Sequence, residues 1–166
     1  QAGKLISTGV QNTLLGAQAG DALTSGADNV AVGYHALSAE DGNGGNVAVG
    51  KFALLLQNAG ADAYNVAIGF ETGKTISTGI KNTLIGAHAG DSLTLGSENV
   101  AIGYGALNTE DGNGKNVAIG YLALENQNAG ADAYNVAVGY DTGRQITTGV
   151  NNTLIGGLAG DALTTG

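Results

Sequence analysis

The sequence predicts an all-β chain, a parallel β-solenoid of about nine coils of 17–19 residues each. Three observations predict it. Asparagine recurs at Asn12, Asn29, Asn46, Asn65, Asn82, Asn99, Asn116, Asn135 and Asn152, with separations of 17, 17, 19, 17, 17, 17, 19 and 17 residues. After each asparagine comes a short run such as VAVG, VAIG or TLIG, whose β-branched residues alternate in period two and read as a strand. The composition also fits no ordinary core. Of 166 residues, 30 are glycine, none is proline, cysteine, methionine or tryptophan, and aromatics make up 5%. Such a chain must bury small side chains in a thin, regular interior.

Each part of the coil has a reason. A segment of 17 residues cannot bury its own apolar face, so it must stack on its neighbours. The asparagine is expected at one fixed corner per coil, forming a ladder whose amides are satisfied by the coil above. Glycine four residues later ends the strand and gives either a positive-φ turn or room for a neighbouring backbone. Seven residues after the asparagine stands a small residue (Ala19, Ala36, Ala53, Thr72, Ala89, Ala106, Ala123, Thr142, Ala159), where a second short strand is expected. Glycine recurs too often for helix. At the parallel-strand spacing of ~4.8 Å, nine coils give a rod of roughly 40 Å.

A longer period overlies the short one. Residues 1–70 and 71–140 are identical at 47 of 70 positions, and 141–166 begin a third copy, all within a single repeat domain. The two ends fall at different phases of the coil, so the chain is expected to be a window from a longer array. Coils opening at Asn12, Asn65, Asn82, Asn135 and Asn152 carry glycine eight residues on and Leu or Ile eleven residues on. Those opening at Asn29, Asn46, Asn99 and Asn116 carry leucine at the eighth place and then run into the polar stretches SAEDGNGG, LLQNAGADAY, NTEDGNGK and ENQNAGADAY. One edge of the rod should therefore carry acidic, glycine-rich loops in pairs.

Composition also excludes functions. The net charge is −8, and the six basic residues are scattered singly, so there is no patch to neutralise nucleic-acid phosphates. No apolar run approaches the ~20 residues of a membrane span. His35 and His88 have no histidine at the equivalent position one 70-residue unit away and read as lone surface side chains. With no cysteine and no nucleophile–base spacing, no enzyme is expected and no catalytic residue is assigned.

Two groups remain as candidate sites. Asp41 and Asn43, repeated as Asp111 and Asn113, offer hard oxygen atoms in glycine-rich loops that could suit Ca²⁺. The spacing is neither an EF-hand nor a calcium-binding nonapeptide, and we read a plain turn, with Asp and Asn tolerating left-handed φ. The position five residues after each asparagine reads Ala17, Tyr34, Lys51, Phe70, Ala87, Tyr104, Tyr121, Tyr140 and Gly157. In a solenoid these form one column. We read Tyr34, Phe70, Tyr104, Tyr121 and Tyr140 first as a chain–chain interface or a cover over the thin core, with a sugar-binding row as the alternative.

The motifs NVAVG, NVAIG and NTLIG, each followed by a small residue, resemble the head repeats of trimeric autotransporter adhesins, and equally the NTxIGxxAG arrays of phage tail fibres. The resemblance covers essentially the whole chain, although the adhesin heads repeat at a shorter period. It implies a left-handed β-roll, three chains about one axis, an extracellular place on a cell or virion, and a structural, adhesive role toward a host-surface glycan or protein; separately, the unpaired strand edges at open solenoid ends invite an end-to-end filament. Two rival functions are weighed. An ice-binding or other surface-template solenoid needs a flat threonine face, but Thr24, Thr94, Thr147 and Thr164 occur on only some coils. A glycan-degrading depolymerase needs clustered carboxylates with a basic partner, against which the few lysines and arginines argue.

Overall fold

Nine three-residue strands, one per coil, form a single parallel sheet in sequential order in the computed structural model, which describes all residues except 111 and 113. They are β1 (Thr13–Leu15), β2 (Val30–Val32), β3 (Val47–Val49), β4 (Val66–Ile68), β5 (Thr83–Ile85), β6 (Val100–Ile102), β7 (Val117–Ile119), β8 (Val136–Val138) and β9 (Thr153–Ile155). The register places each residue against its equivalent one coil on, as Val30 against Val47 and Ala31 against Ala48. The two 19-residue coils keep this register, because their two extra residues lie outside the strands. The chain is thus an all-β parallel solenoid.

The asparagines hold the corner at which each strand starts. The backbone N–H of each donates to the side-chain oxygen of the asparagine one coil back, at 2.8–3.1 Å over all eight steps. The side-chain NH₂ closes the coil, as where Asn82 Nδ2 donates to the Gly96 carbonyl at 2.9 Å and Asn135 Nδ2 to that of Gly149 at 2.8 Å. From Asn29 to Asn116 every one of these side chains is fully buried, so their amides depend on such partners, and Asn46 Nδ2 alone among them is left without one.

Glycine after the strand serves both purposes expected of it. Gly103 has φ +135°, and a Cβ there would lie 2.2 Å from the Gly120 carbonyl oxygen of the next coil. Gly33, Gly50 and Gly120 are alike in both respects. No side chain fits a stack whose backbones approach so closely.

The second strand expected near the small residue does not form. The residues six and eight positions after the asparagine take positive φ, as in His35 (54°) and Leu37 (51°), or Leu122 (53°) and Leu124 (50°), and this coils the chain into consecutive turns. Coil-to-coil bonding persists there without strand geometry. Leu37 N–H donates to the Ala53 carbonyl at 3.0 Å, and the same bond recurs at every coil through Gly143 to Ala159 at 2.9 Å.

The core is one column of small and medium side chains with a size exchange along it. Where the middle strand residue is leucine (Leu84), the residue eight after the asparagine is glycine (Gly90), and a Cβ on it would lie 2.6 Å from Leu93 and 3.1 Å from Leu84. In four coils with alanine in the middle (Ala31, Ala48, Ala101, Ala118) the eighth is a buried leucine (Leu37, Leu54, Leu107, Leu124), whereas with Ala67 and Ala137 the eighth is Gly73 or Gly143 and the seventh is a buried Thr72 or Thr142. A Cβ on Gly73 would lie 2.8 Å from Leu84 and 3.1 Å from Leu54, so leucines of the neighbouring coils fill these two levels.

The polar stretches also enter the core. Glu40, Gln57, Glu110 and Gln127 stand eleven residues after their asparagines, where other coils place Leu23, Ile76, Leu93 and Ile146, and all four are fully buried. Reading them as loop residues missed this. Gln57 Oε1 accepts from Asn65 Nδ2 at 2.8 Å, and Gln127 Oε1 from Asn135 Nδ2 at 2.9 Å. Glu40 Oε1 caps its own loop by accepting the Asn43 N–H at 3.0 Å. The loops pair as anticipated: Gly44 N–H donates to Asp62 Oδ1 at 2.9 Å, and Ala63 N–H to the Gly44 carbonyl at 3.1 Å.

Candidate functional surface: an aromatic ladder

The turn after each strand begins with the residue five after the asparagine. Because every coil repeats the same backbone, these side chains fall into one column parallel to the rod axis. The rings of Tyr104 and Tyr121 stack at 5.5 Å between centroids and 15° between planes, and those of Tyr121 and Tyr140 at 5.2 Å and 7°. Such contacts add about 0.5–1.5 kcal/mol each beyond area burial.

The column is more continuous than position five alone predicts. Where that position is Ala87, the next residue, His88, turns its ring into the gap, 5.4 Å from Phe70 and 5.7 Å from Tyr104. Where it is Lys51, Phe52 does the same, 5.5 Å from Tyr34, and the Lys51 ammonium lies over both Phe52 (4.8 Å) and Phe70 (5.7 Å). His35 packs edge-on against Tyr34 at 4.4 Å. The ladder therefore spans seven coils, from Tyr34 to Tyr140. Neither histidine is a lone surface side chain. The signal was present in the sequence: in the two coils between Tyr34 and Tyr140 that lack an aromatic at position five, a ring stands one residue later, as Phe52 and His88.

The tyrosines stand half-exposed on the surface. Tyr121 is 44% exposed and Tyr140 56%. The hydroxyls of Tyr34, Tyr104, Tyr121 and Tyr140 bond to no other group among the described residues. Tyr64 and Tyr134, on another corner, differ. Tyr64 Oη reaches Asp62 at 3.4 Å, and Tyr134 Oη accepts from Lys115 Nζ at 3.3 Å.

Charged groups flank the ladder on its turn side. Glu71 meets Lys74 at 3.1 Å, and His88 Nδ1 lies 3.9 Å from Glu71 and 3.5 Å from Asp91. Burial pushes the Asp91 carboxyl above the usual range, against the opposing pull of Lys74. Further along, Arg144 Nε bonds Glu125 at 2.6 Å, and its Nη1 lies 3.8 Å from Asp141. The Glu125 hydrogen bond, followed by its charge, holds the guanidinium protonated.

Among the described residues, Glu71, His88 and Asp91 form the one group of three His, Cys, Asp or Glu side chains close enough to share an ion. Lys74 already occupies Glu71. The sequence pointed instead to Asp41 and Asn43. There the neighbouring Glu40 turns inward, and the Asp41 and Asn43 carbonyls accept bonds from Thr24 N–H and Asn29 Nδ2. Asp111 and Asn113 lie outside the described residues. Two of the threonines weighed for a template face use their hydroxyls between coils: Thr24 Oγ1 donates to the Asp41 carbonyl, and Thr147 Oγ1 to that of Thr164.

Next to the ladder lies the outward face of the sheet. Its side chains are the first and third residue of every strand, all Thr, Val, Leu or Ile, so nine rungs pass without a charge. No helix among the described residues is long and apolar enough to cross a membrane. Comparison of the chain with protein-family models, with curated proteins and with solved structures gives no match.

Proposed function

We propose that the chain is a structural and adhesive segment of an extracellular fibre on a cell or virion, a stiff rod that packs against further copies of itself and attaches to a surface through repeated weak contacts. The observation that carries this reading is the uncharged outer face of the sheet. At the parallel-strand spacing and rise it measures roughly 38 by 10 Å, on the order of 400 Å². That matches the largest exposed apolar patches of monomeric proteins, which mark interaction sites. Three copies about one axis, sheet faces inward, would cover it and leave the paired loops and the turns outside. The repeated surface then supports attachment by multivalency, each coil adding a contact whose loss alone is small.

Mass measurement with electron microscopy tests the reading. Particles of a multiple of 16.3 kDa, shaped as straight rods, are expected. Val49→Lys with Ile102→Lys places charge on the covered face and should release folded monomers. A wild-type chain that stays monomeric at tens of micromolar refutes the proposal.

A further inference from the structure

We infer that the tyrosine ladder binds a neutral, extended β-(1→4)-linked polysaccharide lying parallel to the rod axis. The inference rests on the attachment reading and names the class of polymer this surface would take. Neighbouring ring centroids along Tyr104, Tyr121 and Tyr140 are 5.5 and 5.2 Å apart, on coils that rise by ~4.8 Å each. An extended β-(1→4)-linked pyranose chain advances by nearly the coil spacing per sugar and turns alternate sugars over, so one sugar meets each coil and every second coil meets the same face of the polymer. An α-(1→4)-linked chain winds into a helix and loses that register within a few sugars.

The ladder also offers the right groups. Tyr121 already has a stacked ring on both faces, and Tyr104 and Tyr140 have one each. What these rings present outward is therefore a C–H edge and a phenolic hydroxyl, one per coil over the three coils of Tyr104, Tyr121 and Tyr140. The hydroxyls of Tyr34, Tyr104, Tyr121 and Tyr140 bond to no other group among the described residues, so they are available to sugar hydroxyls, whereas those of Tyr64 and Tyr134 have partners. Beside the rings stand polar side chains able to accept from further sugar hydroxyls: Glu71 and Asp91 by His88, and Glu125 and Asp141 by Arg144. Each of these groups holds two carboxylates for one permanent cation, and the chain carries −8 overall, so the surface repels polyanions and selects a neutral chain. Each contact is weak, and affinity comes from repetition. The polymer is held where a disaccharide is not.

Retention of the whole chain on regenerated cellulose, with starch granules as the α-linked counterpart, tests the assignment. Wild type should be retained on cellulose and pass through starch. Tyr104→Ala, Tyr121→Ala and Tyr140→Ala together should cut retention by about tenfold or more, since the contacts act in concert. Tyr64→Ala with Tyr134→Ala should leave it unchanged. Circular dichroism of both variants should match wild type, because neither set fills the core. Failure of wild type to bind cellulose, equal binding to starch, or undiminished binding by the triple variant each overturns the assignment. A rod-shaped multimer that ignores cellulose sinks this inference and leaves the fibre reading standing.

Discussion

Replacing Asn82 by alanine should destabilise the chain by about 2–6 kcal/mol, the cost of two buried polar groups left without partners at about 1–3 kcal/mol each. Asn82 is fully buried at the middle of the ladder. Its Oδ1 accepts the Asn99 N–H at 2.9 Å, and its Nδ2 donates to the Gly96 carbonyl at 2.9 Å. Alanine keeps the Asn82 backbone N–H and therefore the bond to Asn65 Oδ1 at 2.8 Å. What is lost is satisfaction of the Asn99 N–H and the Gly96 carbonyl, in an interior that offers no substitute. Asn152 is the internal control. It is the last rung of the ladder in this chain, only half-buried, and its Oδ1 serves no later asparagine. Asn152→Ala should cost less than about 1 kcal/mol, the net worth of one ordinary hydrogen bond. Urea unfolding followed by circular dichroism measures both, as a fall in midpoint at constant slope. Equal costs for the two substitutions, or an Asn82→Ala cost below about 0.5 kcal/mol, would refute the reasoning. Either result would mean that the ladder marks the corner without holding it.

Two further expectations come from other parts of the coil. Gly103→Ala puts a Cβ 2.2 Å from a carbonyl oxygen at φ +135° and should prevent stacking at that rung, whereas Gly60→Ala meets open space at φ +71° and should cost only the ~1–2 kcal/mol of a left-handed residue. Thermal unfolding of the pair separates close approach from backbone preference. Burial raises the Glu40 carboxyl above the ordinary range. A raised acid keeps its proton in the folded state after the unfolded chain has lost it, so this group's contribution to stability falls as pH rises from the ordinary carboxylate range through the raised folded value. Glu40→Gln should therefore stabilise the chain at pH 7, keep the Asn43 N–H satisfied, and make little difference near pH 4. A variant weaker than wild type at pH 7 would contradict the assigned direction.

Much of the architecture was readable before any coordinates. The interval between asparagines determined the number of coils, their stacking and the register, because a unit too small to bury its own face has one stable option, and equal spacing puts equal residues side by side. The column of Tyr34, Phe70, Tyr104, Tyr121 and Tyr140 followed from the same arithmetic. The chain alone did not reveal that only one strand forms per coil. That depends on non-glycine residues such as His35 and Leu37 holding left-handed φ, which coil-to-coil bonds enforce against local preference. Nor did it reveal that Glu40 and Gln57 lie inside, where a neighbouring asparagine side chain and a loop N–H offer polar partners that no hydropathy pattern records. The closing of the ladder by Phe52 and His88 was likewise a tertiary decision. Sequence determined the period, and three-dimensional packing decided which side chain turned into each gap, because a vacancy between two rings exists only once the coils are stacked.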